Sequence, residues 1–277
     1  MSSAELYTAY KTKMQKIADV KYASAVLQWD QQTYLPPKGN NFRGRQIATL
    51  SEIAHQQFTD EKSGALILEL NAKEDLSPAE KRNVQLSLED YNRNKKLSSD
   101  FVRQMSEAVN RSYHAWVKAG TENSFATFQQ PLHELIQLKK QEADMLGYEQ
   151  HPYNALMNDY DKGLTVSTVD NIFNDLKPQL LVLLDLIKDK TPVDDSFLHQ
   201  YFNKGDQWKF GMEILKRTGF DFEAGRQDIS LHPFTTNFSS MDVRVTTRID
   251  EHDFGNMTWS CIHEGGHAMY EQGLPAE

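Results

Sequence analysis

The sequence has a single cysteine, no long hydrophobic run and fewer basic than acidic residues. The one thiol, Cys261, cannot form a disulfide within the chain, which excludes a disulfide-stapled fold and is typical of a reducing compartment. The longest apolar run, residues 180–184, is interrupted by Asp185 and is far shorter than the roughly 20 residues that span a membrane. We therefore expect no membrane segment.

The charge balance is acidic, with 30 lysines and arginines against 39 aspartates and glutamates and a formal net charge of −9. Because nucleic-acid affinity depends on clustered basic side chains, we expect no nucleic-acid partner. The first residues, Met1 to Leu6, lack a basic segment followed by an apolar core, so we expect no secretory signal. A chain of 277 residues is long enough to bury a core. These features predict a soluble, cytoplasmic globular protein.

The segment His263-Glu264-Gly265-Gly266-His267 carries an HExxH motif. In a helix, positions four apart differ by about 40° in direction, so the two imidazoles leave one face a turn apart and can bind one ion. Glu264 can then reach a water on that ion without being a ligand. This arrangement is typical of zinc peptidases, with the carboxylate as general base.

A helix with two hydrogen-bonded histidines on one face is the structural alternative to a metal site. The two adjacent glycines, Gly265 and Gly266, weigh against it. Each costs a helix about 1 kcal/mol relative to alanine, and that cost is tolerated more readily where a substrate or another backbone passes close by.

Apolar residues recur with a helical period through most of the first 220 residues. The first helix should end at Pro36-Pro37, because proline cannot continue it. Ser77, Pro78 and Glu80 form a capping-box start signal. The remaining predicted helices cover 42–58, 99–118 closed by Gly120, 125–146, and a segment that begins after Thr165 and bends at Pro178, with a loop over 151–163.

The period changes near residue 220. From Asp228 to Ile249, β-branched residues alternate with polar ones, which predicts two antiparallel strands with a turn at 237–240. The chain returns to helix at Phe254 or Asn256, and the HExxH motif lies inside that helix. A strand beside such a helix could bind an extended peptide by backbone hydrogen bonds.

Five segments occur together in a fixed order along the chain. They are Trp29-Asp30-Gln31-Gln32-Thr33-Tyr34 with Pro36-Pro37, His232-Pro233-Phe234, Asp242-Val243-Arg244-Val245-Thr246, Asp250-Glu251-His252-Asp253-Phe254, and the HExxH motif followed by residues 268–275. In this combination the sequence resembles the carboxypeptidase Taq family of metallocarboxypeptidases. Their order and spacing are far more specific than HExxH alone.

The expected fold is mainly α, with a small antiparallel β-sheet near residues 228–249, and the resemblance implies a zincin-like arrangement of helices around a long cleft. It also implies release of single residues from peptide C-termini with broad side-chain tolerance, a divalent ion that is Zn²⁺ or else Co²⁺, and a homodimer. By position, His263 and His267 would be metal ligands and Glu264 the general base. The resemblance further implies that four residues line or brace the cleft: His232, Asp242, Arg244 and Thr246.

The sequence departs from the family pattern in its extent. Family members are much longer, and their third metal ligand, a glutamate downstream of HExxH, would fall beyond Glu277. The arginine and tyrosine thought to hold the substrate carboxylate and the oxyanion would also lie there. We therefore expect residues 1–277 to be the N-terminal part of a single metallopeptidase domain, weak or inactive by itself.

Nearby carboxylates do not replace the missing ligand. Glu271 lies on nearly the same helix face as His267, but it is about 12 Å along the axis from His263, too far to share an ion with both histidines. A second-shell or surface role is expected for it. Glu251 and Asp253 precede the helix and are expected to cap it.

Two residue roles and the type of activity stay open. Arg244 could bind a substrate carboxylate, although an ion pair with Asp242 is favoured. His232 either ends a strand or donates to the oxyanion. The alternatives to a metallocarboxypeptidase are a zincin endopeptidase and a non-catalytic fragment.

Overall fold

A computed structural model of the chain describes residues 1–275, which are mostly helical with one small sheet. The helices are α1 Ser3–Thr33, α2 Asn40–Thr59, α3 Glu61–Asn71, α4 Pro78–Asn94, α5 Ser99–Glu122, α6 Phe125–Leu146, α7 Pro152–Met157, α8 Val166–Lys188, α9 Lys204–Thr218 and α10 Phe254–Gln272. The strands are β1 Gly225–Ile229, β2 Thr235–Ser239 and β3 Asp242–Thr247, and short 3-10 helices lie at Pro37–Gly39 and Ser196–Leu198. The mainly α class predicted from the sequence is confirmed.

The chain forms two compact units. The first contains Met1–Ser24 and Asn40–Lys190, and the second contains Ala25–Gly39 and the chain from Thr191 onward. The long helix α1 therefore contributes residues to both. None of the described helices combines the length and the apolar character that crossing a membrane requires.

The core of the first unit is built from helices α1 to α4. Residues of α1 at helical spacing bury one face against the others, as the apolar period in the sequence predicts. The buried side chains of this cluster are Leu6, Tyr10, Ile17, Phe58, Ile67, Leu70 and Val84. Further along the chain, α5 packs on α2 and α6.

The start of α4 has the predicted capping box. The Ser77 backbone N–H donates to Oε2 of Glu80 at 2.9 Å, and the Glu80 backbone N–H donates to the Ser77 hydroxyl at 3.3 Å. Hydrogen bonding to the Glu80 carboxylate from the side chain and the backbone N–H of Ser77 lowers the pKa of Glu80. The two side chains satisfy amide groups that would otherwise lack partners in the first turn.

Two predictions from the sequence are wrong, the end of one helix and the absence of another. α5 runs past Gly120 to Glu122 and ends where Asn123 takes a left-handed φ of 48°. The glycine does not end the helix, because asparagine also tolerates the left-handed cap. Residues 152–157, predicted to be loop, form α7, with Pro152 at the first position and the His151 ring accepting from the Tyr153 amide at 3.1 Å.

Helix α8 has no buried residue among those described. It begins after Thr165, as predicted, where the Thr165 hydroxyl accepts from the Thr168 amide, and it continues through Pro178. Its apolar side chains remain largely exposed, as Leu183 shows with 51% of its surface accessible. They contribute correspondingly little to the free energy of folding.

The sheet has three strands in the order β1-β3-β2 and is mixed, which corrects the predicted pair of antiparallel strands. β1 pairs parallel with β3, and β2 pairs antiparallel with it. The predicted turn at 237–240 is partly strand, since β2 extends to Ser239 with a register shift between Asn237 and Ser239. Alternation identifies strands, but it contains no information on which strands pair or in which direction.

The core of the second unit lies where α9, α10 and the sheet meet. Its buried side chains are Leu215, Phe220, Val243, Val245 and Ala268. Gly265 of α10 allows the close approach of α9, because a Cβ at that position would lie 2.8 Å from Cδ2 of Leu215. Its neighbour Gly266 is exposed, and among the described residues no heavy atom lies within 4 Å of where its Cβ would be.

The contrast between the first-unit core and α8 predicts unequal effects for one substitution at two leucines. Leu70→Ala should lower the free energy of unfolding by about 2–5 kcal/mol, because it leaves a cavity at a side chain with no exposed surface. Leu183→Ala should change it by only about 0.5 kcal/mol. Urea denaturation followed by circular dichroism measures both, and equal losses would contradict the exposure of α8.

The two glycines of α10 predict opposite stability changes. Gly266→Ala should stabilise the chain by up to about 1 kcal/mol, since it gains helix propensity without meeting another atom. Gly265→Ala should lower the free energy of unfolding by about 1–3 kcal/mol, because the added methyl group overpacks against Leu215. This cost outweighs the gain in helix propensity. The difference in thermal midpoint between these variants is the measurement, and a Gly265→Ala chain as stable as Gly266→Ala would show that α9 yields easily.

Candidate metal and peptidase site

Helix α10 begins at Phe254, as predicted. Asp253 is its N-cap and accepts from the Asn256 amide at 3.1 Å, which confirms the capping role expected for this residue. Glu251 instead accepts from the Lys204 amide at 3.2 Å, at the first residue of α9. Both carboxylates therefore lie at helix N-termini, where the unpaired amides and the helix dipole favour negative charge.

One face of α10 is buried and the opposite face is exposed to solvent. Met257, Cys261 and Ala268 are buried on the side that packs on α9 and the sheet. Cys261 contacts Met257 and Gln227, and burial raises the pKa of its thiol. His263 and His267 are exposed on the other side.

The two histidine rings converge on one point. Their Nε2 atoms are 3.3 Å apart, and the rings are nearly perpendicular at 83°, with centroids 4.8 Å apart. Two nitrogens bound to one tetrahedral zinc at about 2.0–2.1 Å would be about 3.3–3.4 Å from each other. The same distance is at the long end of the range for a hydrogen bond between two ring nitrogens. The pair therefore fits a shared divalent ion.

Glu264 lies between the histidines and is directed toward the sheet. It is 8% exposed, and its Oε2 accepts a hydrogen bond of 2.6 Å from the hydroxyl of Thr235 in β2. The sequence reasoning missed Thr235. Its position directly after His232-Pro233-Phe234 was the available signal.

Within the part of the chain that the structure describes, no third metal ligand lies near the pair. Among residues 1–275, no group of three or more His, Cys, Asp or Glu side chains is arranged to hold an ion. Glu271 is engaged elsewhere, because Asn237 of β2 donates to its Oε2 at 2.6 Å.

A cleft of about 370 Å³ lies between α10 and β2. Its lining includes His232, Phe234, Thr235, Glu264, His267 and Glu271. Three of the residues singled out from the sequence, His232, Glu264 and His267, thus come together. The side chain of His232 is exposed.

The remaining motif residues, Asp242, Arg244 and Thr246, lie behind this cleft on β3. Arg244 donates from Nε and Nη2 to the two oxygens of Asp242 at 2.9 and 3.0 Å, which is the ion pair favoured by the sequence. The guanidinium also stacks on Trp29, 4.3 Å from the ring centroid, and lies 4.9 Å from that of Phe238. Arg244 therefore braces the sheet in this structure.

Thr246 ties β3 to the segment that precedes β2. Its hydroxyl accepts from the Phe234 amide at 2.9 Å and from the Ser230 hydroxyl at 2.7 Å. Only 1% of Thr246 is exposed. The residue thus fixes the backbone between His232 and Thr235.

A second arginine network, missed in the sequence, lies beside Trp29. Arg226 donates twice to Asp228, at 2.7 and 2.6 Å, and Tyr34 donates to the same carboxylate. The hydrogen bond to Asp228, together with burial, raises the pKa of Tyr34. The sequence does not predict this network, because spacing along the chain cannot show that residues 29–34 meet residues 226–228.

Comparisons with known proteins identify the family to which the chain is similar. Residues 9–277 match the family described as carboxypeptidase Taq (M32) metallopeptidase. Carboxypeptidase 1 of Bacillus subtilis is 33% identical over 263 residues, which cover 94% of this chain and 52% of that protein. Thermostable carboxypeptidase 1 of Thermus thermophilus is 33% identical over 269 residues, covering 91% and 52%. The chain spans about half the length of the curated relatives it matches.

Solved structures give the same result. The M32 carboxypeptidase from Deinococcus radiodurans R1 is 33% identical, with a TM-score of 0.86 over 98% of this chain and 55% of that chain. A structure described as CHT is 56% identical, with a TM-score of 0.85 and coverages of 98% and 55%. With a fold, a motif order and a sequence match that agree over nearly all of its length, the chain belongs to the carboxypeptidase Taq (M32) metallopeptidase family.

Proposed function

We propose that this chain supplies the histidine pair and the general base of a zinc-dependent metallocarboxypeptidase that hydrolyses C-terminal peptide bonds with broad specificity. The observation that carries the proposal is the 3.3 Å separation of the His263 and His267 Nε2 atoms, with Glu264 between them at the wall of a cleft. The relatives at 33% identity are named carboxypeptidases. The family description names a metallopeptidase, which supports a divalent ion.

His263 and His267 would hold the ion through Nε2. A divalent ion held there would polarise the scissile carbonyl and make a water molecule more acidic. We propose Zn²⁺, with Co²⁺ as a substitute, because neutral imidazoles at this spacing match its tetrahedral geometry. With two protein ligands the affinity would be lower than in a site with three.

Glu264 would act as the general base and then as the general acid. Its carboxylate accepts a proton from the attacking water and delivers it to the amine of the departing residue. His232, exposed at the same cleft, is placed to donate to the carbonyl oxygen as negative charge develops. These roles follow from the position of the side chains around the cleft.

The finer features of the whole protein rest on family membership. We propose that residues 1–277 form the N-terminal part of a metallopeptidase domain whose third ligand and substrate-carboxylate arginine lie in further chain. A homodimer in the cytoplasm is the expected setting. The half-length coverage of the relatives supports the first point.

Metal binding tests the histidine pair. Equilibrium dialysis against Zn²⁺ or Co²⁺ should load about one ion per chain, and His263→Ala or His267→Ala should weaken binding at least about tenfold. His252→Ala is the matched control, since this histidine is also exposed in the second unit. Retention of the ion by both single variants, or its equal loss in the control, would disprove the site.

Peptide hydrolysis tests Glu264. In a protein that includes the remainder of the domain, Glu264→Gln should leave metal binding unchanged, while release of single C-terminal residues falls by about 10²–10⁴-fold, because the amide cannot accept the proton. Mass spectrometry measures the products from two peptides of the same sequence, one with a free C-terminus and one with an amidated C-terminus. Cleavage of the amidated peptide at internal bonds would favour an endopeptidase instead.

A further inference from the structure

The carboxylate of Glu264 is held from the sheet rather than from its own helix. Alternate residues of β2 face α10, since side chains alternate along a strand. Thr235 donates to Oε2 of Glu264 at 2.6 Å, and Asn237, two residues later, donates to Oε2 of Glu271, also at 2.6 Å. β2 thus contacts two carboxylates on the cleft side of α10.

The hydroxyl of Thr235 meets Glu264 twice. It lies 2.6 Å from Oε2 and 3.0 Å from the backbone oxygen of the same residue. The hydroxyl has one proton to donate, and the shorter contact, with Oε2, is the hydrogen bond that restrains the end of the side chain. A glutamate has three side-chain torsions to order, so this restraint removes most of its freedom.

Thr235 is itself held rigidly. Its Cα pairs with that of Val245 in β3, which is 1% exposed. The residue before it, Phe234, is bound through its amide by the Thr246 hydroxyl at 2.9 Å and through its carbonyl by the Thr246 amide at 2.9 Å. Val245 and Thr246 of β3 are thus both buried. Their contacts fix the backbone position from which the Thr235 hydroxyl extends.

We propose that Thr235 is a positioning residue that orients the Glu264 carboxylate toward the ion and its water. The inference rests on the proposed function, in which Glu264 is the general base. A base must lie within hydrogen-bond reach of the proton that it takes, so a carboxylate free to rotate would spend less time in the productive geometry. Thr246 sets the position of Thr235 through its two hydrogen bonds to the backbone of Phe234, the preceding residue.

The test compares three variants of the chain. Thr235→Val keeps the shape but removes the hydroxyl, Thr235→Ser keeps the hydroxyl, and Thr236→Val makes the same change on the opposite side of β2. Each chain is labelled with ¹³C at the glutamate carboxyls and loaded with Co²⁺ or Zn²⁺. The Glu264 signal is identified by its absence in Glu264→Gln, and its Co²⁺ shift relative to Zn²⁺ reports the position of the carboxylate relative to the ion.

Thr235→Val should change this paramagnetic shift, and Thr235→Ser and Thr236→Val should keep the wild-type value. Metal stoichiometry should be the same in all chains, because Thr235 contacts the carboxylate and neither imidazole. A Thr235→Val shift equal to that of the wild type would overturn the role of Thr235 while leaving the metal site intact. Absence of any Co²⁺ effect in the wild-type chain would overturn the proposed function, and the inference with it.

Discussion

The packing of α10 on α9 and the sheet is the interaction on which the candidate site depends. One face of the helix, with Met257, Cys261 and Ala268, is buried, and Gly265 lets Leu215 approach closely. Because a helix turns by about 100° per residue, burying that face forces His263 and His267 outward together. The hydrophobic contact therefore orients the two imidazoles, although it involves none of their atoms.

Strand β3 connects the other parts of the second unit. It pairs with both β1 and β2, and its inward residues Val243 and Val245 belong to the core beneath α10. Its partly exposed residue Arg244 has its charge paired with Asp242 and its plane stacked on Trp29. Thr246 of β3 accepts a hydrogen bond from the Phe234 amide and so holds the segment that carries His232 and Thr235. Thr246 is 1% exposed, so breaking its hydrogen bonds would leave desolvated groups without partners, which favours one geometry at this position.

The first unit has a different balance of burial and exposure. Its helices enclose a core around Leu6, Ile67 and Leu70, yet α8 is exposed along its whole length. Apolar exposure on that scale is uncommon on the surface of a monomeric protein.

The sequence by itself determined the features that depend on neighbours in the chain. Helical period and capping chemistry gave the helix over 125–146, the Ser77 start and the beginning of α10, and the i, i+4 spacing placed both histidines on one face. Tertiary structure alone decided the strand pairing, the partner of Glu264 and the meeting of Trp29 with Arg226 and Arg244. Local periodicity fixes the direction of a side chain relative to its own element, whereas its partner depends on how distant segments pack.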